Sequence, residues 1–239
     1  MRSLRIVIAA AAMVATAAIA SPTAPQNNAE YTTLATPQPT AAVGKKIEVI
    51  EFFAYHCPAC NVMEPYVDQW KKKHEADVTF KRIPMPFGGP TDPEARLYLT
   101  LEAMGKADEV GPKVFRAFHA ERKRLTSDQA ILDWVGTSSG LDKAKFTEMW
   151  NSFGVLTKLR RLEQVVKNYK VTGTPTFVVD GRFITSPQTV GQANPSITPQ
   201  QTPDASNAVL TALVNIAKKD KGYAAAPAAA APAKAPAKK

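Results

Sequence analysis

The sequence predicts an α/β fold in which a βαβ unit and a later ββα unit are separated by a helical segment. A β-branched and aromatic run at residues 47–53 passes directly into helical spacing, and an alternating segment at residues 77–83 follows that helix. Near the other end, Asp180-Gly181 separates two further β-rich runs, which is a strong hairpin signal. Residues 89–153 carry helix signals and no strand signal. We therefore expect one sheet interrupted by an all-helical insertion.

The N-terminal segment, residues 1–20, is typical of a secretory signal peptide. Arg2 and Arg5 precede an apolar run that ends at Ile19, and Ala20 offers a small-residue cleavage site. A membrane anchor is the alternative, but the run is short and rich in alanine for a span. We expect cleavage after Ala20 and export. Two cysteines spaced for redox cycling then favour an oxidising compartment such as the bacterial periplasm.

The net charge does not indicate a nucleic-acid partner. Loss of the signal peptide removes two arginines and no acid, so the formal charge falls from +9 to +7. The tail, residues 221–239, is almost entirely Ala, Pro and Lys; it cannot bury a core and is expected to be disordered. The basic runs at residues 71–73 and 122–124 are expected at helix ends, where positive charge complements the helix dipole. The remaining charge is thus explained by the tail and by solvated helix ends.

Both cysteines, Cys57 and Cys60, lie in one eight-residue stretch, residues 54–61, between the first strand and the first helix. Pro58 suits the first turn of that helix, so Cys57 stands where backbone N–H groups and the positive end of the dipole point at its sulfur. Such a setting lowers a cysteine pKa from about 8.5 to between about 3.5 and 7.5. We expect Cys57 to be the exposed nucleophile, and Cys60, one turn further and buried, to be the resolving thiol.

A Cys-X-X-Cys pair has two other common uses. A zinc site needs two more ligands, but the chain has no other cysteine, and His56, His74 and His119 show no paired spacing. A purely structural disulfide is disfavoured because a loop this short removes little entropy from the unfolded chain. We therefore expect a redox pair, with no metal and no organic cofactor.

The elements around this pair follow from local signals. A strand-like piece at residues 30–34 could add an edge strand, and Pro84 and Pro86 end the second core strand. Thr91-Asp92-Pro93-Glu94 is a capping box that opens the first inserted helix, which runs to Gly105. Further helices are expected at about residues 107–123, 127–139 and 142–151, from about 155 onward, and at 204–218.

The chain is accordingly divided into six segments. They are a signal peptide at 1–20, a lead-in with a possible edge strand at 21–43, the first part of the sheet domain at 44–88, the helical insertion at 89–153, the second part of the sheet domain at 154–220, and the tail at 221–239.

With these elements in place, the residues resemble the thioredoxin superfamily and, within it, the DsbA family of exported thiol:disulfide interchange proteins. Three features carry the likeness: the strand-to-helix junction that runs from Glu51 into Cys-Pro-X-Cys, the Thr174-Pro175 pair that opens the hairpin, and the helical insertion. The likeness spans about residues 31–219. It implies a thioredoxin-like fold (βαβ…ββα) with an all-helical insertion domain.

The resemblance also implies roles for particular residues. Pro175 would be a cis-proline packed against the active-site disulfide, with the Thr174 backbone available to an extended substrate segment. Glu51 would be a buried acid behind Cys60 that accepts its proton, as the raised pKa of a buried carboxylate allows. A trans-proline at a strand start and a Glu51 that reaches solvent are the alternatives. The implied partners are reduced, unfolded secreted proteins and a DsbB-like membrane quinone reductase as reoxidant, and the chain would be a monomer.

One position departs from the family pattern. DsbA proteins usually have histidine between the proline and the second cysteine, and this chain has Ala59. Alanine cannot stabilise a thiolate by charge or by a side-chain hydrogen bond, which predicts a less depressed Cys57 pKa and a weaker oxidant. His56 could partly replace the missing histidine, and it joins Thr174 and Pro175 as a candidate substrate-binding residue. A His56 that merely faces solvent is the alternative.

The sequence therefore predicts an exported enzyme, a protein dithiol oxidase that introduces disulfide bonds into periplasmic proteins through Cys57 and Cys60. A reductase or isomerase of the same fold is the first alternative, since the reduction potential of the pair decides the direction of electron flow. A binding or chaperone module with idle cysteines is the second.

Overall fold

The computed structural model describes residues 21–223. The predicted signal peptide and residues 224–239 of the predicted tail lie outside the described residues. None of the helices within the described range is both long and apolar enough to span a bilayer. In chain order the described elements are β1 (Thr32–Thr33), β2 (Ile47–Phe53), α1 (Pro58–Lys73), β3 (Val78–Pro84), α2 (Pro93–Ala103), α3 (Ala107–His119), α4 (Asp128–Trp134), α5 (Lys143–Trp150), α6 (Phe153–Asn168), β4 (Thr176–Val179), β5 (Phe183–Thr185), α7 (Pro187–Ala193) and α8 (Thr202–Asp220).

The five strands form one mixed sheet in the order β1-β5-β4-β2-β3. β2 pairs parallel with β3, as the α1 crossover requires, and antiparallel with β4. Val49 packs with side chains of α1 and α8, whereas Phe52 packs with Tyr169 and Val171, which follow α6. A strand covered on both faces explains why the run at 47–53 is almost continuously apolar. The predicted α/β class, with its βαβ…ββα order, is confirmed.

The hairpin between β4 and β5 turns at the predicted pair. Asp180 and Gly181 have φ values of 55° and 66°, the left-handed conformations that a two-residue hairpin loop requires. A Cβ at Gly181 would lie 2.1 Å from the carbonyl oxygen of Gln38, so space as well as backbone conformation demands glycine. The Gln38 N–H donates to the Gly181 carbonyl at 2.8 Å and holds the lead-in against the hairpin. The edge strand β1 pairs with β5 over only two residues, fewer than the five of the strand-like piece.

Helices and loops fill the described chain between β3 and β4. α3 ends at His119 and not near residue 123. The expectation that residues 122–124 lie at a helix end is therefore wrong: Arg122, with a φ of 53°, and its neighbours form the loop after α3. α4 continues as a π-helical turn, Val135–Ser139, which ends at Gly140 in the left-handed conformation. The insertion boundaries at residues 89 and 153 stay a prediction.

One helix was not predicted. α7 begins after Ser186, whose side chain accepts a hydrogen bond from the Thr189 N–H at 3.1 Å, and Pro187 occupies its first turn. Ser-Pro is a helix-start signal, but the seven residues that follow carry too little apolar periodicity to reveal a helix. α7 packs against α8 and lies beside the cleft described below.

Candidate active site

The two cysteines lie at the junction of β2 and α1. Cys57 is the N-cap of α1, with φ −72° and ψ 116°, and Pro58 follows in the first turn. The Cys57 Sγ accepts a hydrogen bond from the Cys60 N–H at 3.3 Å, and in the thiol form it donates to the Thr174 carbonyl at 3.4 Å. The structure holds both cysteines as free thiols. The strand-to-helix junction therefore presents the Cys57 sulfur to backbone donors, as predicted from the sequence.

The two sulfurs have opposite acidities. The hydrogen bond with the Cys60 side chain lowers the pKa of Cys57 to about 5, with the backbone N–H groups of Cys60 and Ala59 adding to the effect and burial opposing it. The pKa of Cys60 is raised well above its usual range, first by the hydrogen bond to Cys57, then by burial, and to a smaller extent by the charge of Glu51. Cys57 is thus the thiolate at neutral pH and Cys60 the thiol.

Cys57 is less accessible than expected. Only 8% of its surface is exposed, so the prediction of an exposed nucleophile is wrong. The Thr174 carbonyl lies against its sulfur, and the Cys60 N–H at the start of α1 also contacts it.

The loop before β4 contacts the Cys57 sulfur through the Thr174 carbonyl. The Thr174–Pro175 peptide bond is cis, so the alternative of a trans-proline is wrong. Thr174 and Pro175 line one cleft together with Ala59. The other lining residues come from β1, from residues 170–176, and from β5 and α7: Thr32, Lys170, Val171, Thr172, Gly173, Thr176, Ile184, Thr185, Ser186, Pro187, Gln188, Thr189 and Gln192. The cleft is rich in hydroxyl and amide groups.

A buried ion cluster that the sequence did not reveal lies close to Cys60. Glu51 is 1% exposed, so the alternative in which it reaches solvent is wrong. Arg82 donates from Nε to Glu51 at 2.7 Å and from its two terminal nitrogens to Glu64 at 3.1 and 2.6 Å. Burial raises the pKa of Glu64, against the opposing charge of Arg82. Glu51 is therefore one of two carboxylates that share a single guanidinium, and not a lone buried acid.

A second unexpected pair lies at the surface. The Nδ1 of His56 donates to the Glu94 carboxylate at 2.6 Å, and the His56 N–H donates to the other carboxylate oxygen at 3.2 Å. This hydrogen bond raises the pKa of His56. His56 does not simply face solvent.

The predicted capping box is wrong. Asp92 caps α2 by accepting a hydrogen bond from the Ala95 N–H at 2.7 Å, which leaves Glu94 free to reach His56.

Within residues 21–223, no group of three or more His, Cys, Asp and Glu side chains is arranged to hold a metal ion. A thiolate at a helix N-terminus, a resolving thiol one turn on and a cis-proline loop against the sulfur, all on a βαβ…ββα sheet, define a thioredoxin-fold protein built for thiol–disulfide exchange.

Comparisons with known proteins specify the family. The family model of the DSBA-like thioredoxin domain matches residues 91–196, a range that includes the cis-proline loop. The thiol:disulfide interchange protein DsbA of Bordetella parapertussis is 42% identical over 184 residues, which cover 77% of this chain and 87% of that protein. DsbA of Pseudomonas aeruginosa is 40% identical over 154 residues, or 64% of this chain and 72% of that one. The crystal structure of Pseudomonas aeruginosa DsbA superposes with a TM-score of 0.72 and 32% identity, covering 82% of this chain and 95% of that chain. The chain belongs to the DsbA family of thiol:disulfide interchange proteins.

Proposed function

We propose that this thiol:disulfide oxidoreductase works as an oxidase that introduces disulfide bonds into secreted proteins. The observation that carries the direction is the difference in acidity between the two sulfurs, with the pKa of Cys57 lowered to about 5 and that of Cys60 raised. A stabilised thiolate stabilises the reduced protein, which makes the corresponding disulfide a better oxidant. It also makes Cys57 a good leaving group, because exchange is faster when the departing thiol has a low pKa.

The reaction starts from the oxidised protein, in which Cys57 and Cys60 are joined. A substrate thiolate attacks the Cys57 sulfur, the Cys57–Cys60 bond breaks, and Cys60 leaves with the electron pair and takes up a proton. A second substrate thiolate then attacks the substrate sulfur of the mixed disulfide, and Cys57 leaves as a thiolate. The substrate loses two electrons and becomes a disulfide, while the protein gains them and becomes a dithiol.

The buried ion cluster is suited to the proton transfer at Cys60. Glu64 is four residues beyond Cys60 on α1, so both side chains lie on the same face of the helix. Its raised pKa allows it to hold a proton at a pH where an ordinary carboxylate is ionised. We propose that Glu51 and Glu64, linked through Arg82, give Cys60 its proton when it leaves and take it back on reoxidation. The acid behind Cys60 is then a pair of carboxylates and not Glu51 alone.

We propose that His56 stabilises the Cys57 thiolate in place of the histidine that DsbA proteins usually have at the position of Ala59. Glu94 holds the imidazole and favours its protonated form, which places a positive charge on the residue before Cys57. Ala59 can supply no such charge. The thiolate is therefore stabilised from His56, on the N-terminal side of Cys57.

The substrate segment is proposed to lie in the cleft at Thr174 and Pro175, and the substrates to be reduced, unfolded secreted proteins. A DsbB-like membrane quinone reductase would reoxidise the pair, and the chain would act as a monomer. We propose the periplasm as its location, with cleavage of the signal peptide after Ala20.

The direction is tested by equilibrating the Cys57–Cys60 pair with glutathione buffers and alkylating the free thiols. We expect a reduction potential near or above about −180 mV, the scale of oxidising and isomerising catalysts. A potential near about −270 mV, the scale of thioredoxin, would assign the chain to the reductases instead.

Cys57→Ser tests the chemistry itself. The variant should lose oxidase activity on a reduced protein substrate, whereas Cys60→Ser should trap mixed disulfides at Cys57. If the wild type shows no oxidase activity and Cys57→Ser keeps full binding or chaperone activity, the chain is instead a binding or chaperone module.

A further inference from the structure

We propose that a basic cleft next to Cys57 selects protein substrates that carry Asp or Glu beside their reacting cysteine. The proposal rests on the oxidase function above and deepens it by naming a class of substrate. The basic cleft lies between the residue before Cys57 and the loop after α3, and it is lined by His56, Glu94, Phe118, Arg122, Lys123, Arg124 and Thr126.

The cleft carries positive charge that the described protein does not neutralise. Its one acid, Glu94, is already bound to the His56 side chain at 2.6 Å. Lys123 pairs with Glu121 at 3.1 Å. Arg122 and Arg124 are exposed, and neither forms an ion pair or a side-chain hydrogen bond with any residue between 21 and 223. Two guanidinium groups next to the active site therefore face solvent, and neither has a partner in the part of the chain that the structure describes.

The loop that carries these arginines is firmly held. The Lys123 N–H donates to the Ala117 carbonyl at 2.8 Å, and Leu125, 3% exposed, is buried in the core that also contains Cys60. Arg122 occupies the left-handed conformation, where glycine or asparagine is the usual residue after a helix and a long side chain costs free energy. The arginines are thus presented by an ordered turn and not by a frayed helix end.

The position of the cleft fits the residues that flank a substrate cysteine. A substrate sulfur must reach the Cys57 sulfur, and an extended chain advances about 3.3 Å per residue. The residues one to three positions away therefore lie within about 10 Å of the reacting sulfurs. The basic cleft contains His56, the residue directly before Cys57, and the cis-proline cleft contains Thr174, whose carbonyl contacts the Cys57 sulfur, so each cleft begins beside Cys57. A carboxylate is the protein group that a guanidinium binds best, by two parallel hydrogen bonds.

The test compares three dithiol peptides that differ only beside one cysteine, where they carry Glu, Gln or Lys. The double variant Arg122→Gln/Arg124→Gln removes the two free charges. Arg160→Gln/Arg161→Gln is the matched control, since it removes two adjacent exposed arginines on α6 that do not line the basic cleft. Oxidation is followed as kcat/KM at low and at high salt, and urea unfolding checks that each variant folds.

For the wild type at low salt we expect kcat/KM for the Glu peptide to be about fivefold above that for the Gln peptide, the size expected for two exposed charge contacts. The preference should disappear at high salt and in the Arg122→Gln/Arg124→Gln variant, and it should persist in the Arg160→Gln/Arg161→Gln control. Equal values for the Glu and Gln peptides in the wild type, or a preference that survives the loss of both arginines, would overturn the proposal.

The neutral peptide separates this proposal from the function on which it rests. Oxidation of the Gln peptide by the wild type, and its loss in Cys57→Ser, upholds the oxidase and leaves only the charge preference to be judged. If the wild type oxidises neither the Gln peptide nor the Glu peptide, the oxidase function is overturned, and the substrate preference with it.

Discussion

Replacement of His56 by glutamine tests whether the His56–Glu94 pair stabilises the Cys57 thiolate. The change removes the imidazolium next to Cys57 and leaves Glu94, whose side chain is only 13% exposed, without its charged partner. Both effects disfavour a negative charge on Cys57, so the pKa of Cys57 should rise from about 5.

The size of the effect follows from Coulomb's law for charges on adjacent side chains. For a separation of about 6.5 Å, an effective dielectric constant of about 40 gives an attraction of about 1.3 kcal/mol. The His56 side chain is 48% exposed, so solvent screening reduces this value by about half. The expected rise in the pKa of Cys57 is therefore about half a unit to one unit. The corresponding loss of oxidising power is about 15–30 mV, since about 30 mV is 1.4 kcal/mol for a two-electron couple.

The pKa is read from the thiolate absorbance of the reduced protein, and the potential from glutathione equilibria. The double variant His56→Gln/Glu94→Gln is the control: removal of the whole pair takes away one positive and one negative charge, so its Cys57 pKa should lie nearer that of the wild type. Because the pKa of His56 is raised in the folded protein, its charge is present at low pH and is lost as pH rises through that value. The difference in potential should therefore shrink above neutral pH. An unchanged Cys57 pKa in His56→Gln would refute the reasoning.

Three further changes test other parts of the structure. Ala59→His should make the disulfide more oxidising, and an unchanged potential against glutathione would show that the position has no influence on the thiolate. Arg82→Met should destabilise the protein by about 3–5 kcal/mol, because it leaves two buried carboxylates without a cation. The exposed Lys158→Met control should lower the free energy of unfolding in urea by less than about 1 kcal/mol. A loss as small as this in Arg82→Met would contradict the prediction. Gly181→Ala places a Cβ 2.1 Å from a backbone oxygen and should cost more than about 2 kcal/mol, whereas Gly44→Ala, with φ 67° and nothing within 4 Å, should cost only about 1 kcal/mol. Equal thermal shifts for the two glycine variants would show that the close approach is unimportant.

The parts of the site that could be predicted are those encoded by neighbouring residues. A strand that runs into Cys-Pro-X-Cys and then a helix places Cys57 at the N-cap whatever the rest of the chain does. Asp-Gly between two β-rich runs likewise determines the hairpin from two residues. The order of the strands and of the other helices followed because those elements carried their own periodicity, which α7 did not.

The parts that were missed depend on contacts between distant segments. His56 and Glu94 are 38 positions apart, and the local capping pattern gave Glu94 a different partner. The ion pair of Arg82 could have been predicted from the sequence. The parallel pairing of β2 and β3 places Arg82 directly opposite Glu51, and Glu64 lies one turn beyond Cys60. The burial of Cys57 could not have been predicted, because the carbonyl that lies against its sulfur belongs to Thr174, which is 117 residues away in the chain.

The two sulfurs differ first because the hydrogen bond between them lowers the pKa of Cys57 and raises that of Cys60, and second because each lies in different surroundings. Cys57 accepts hydrogen bonds from the backbone donors of α1, and we propose that it is also stabilised by His56, a cation that Glu94 holds in place. Cys60 lies near the buried cluster of Glu51, Arg82 and Glu64, whose net charge is −1 when both carboxylates are ionised, and a negative environment disfavours a second thiolate. A change at Ala59 or His56 therefore acts mainly on Cys57, while a change in the buried cluster acts mainly on Cys60. The chain can thus lack the usual histidine and still keep one thiolate and one thiol, which is the asymmetry that disulfide exchange requires.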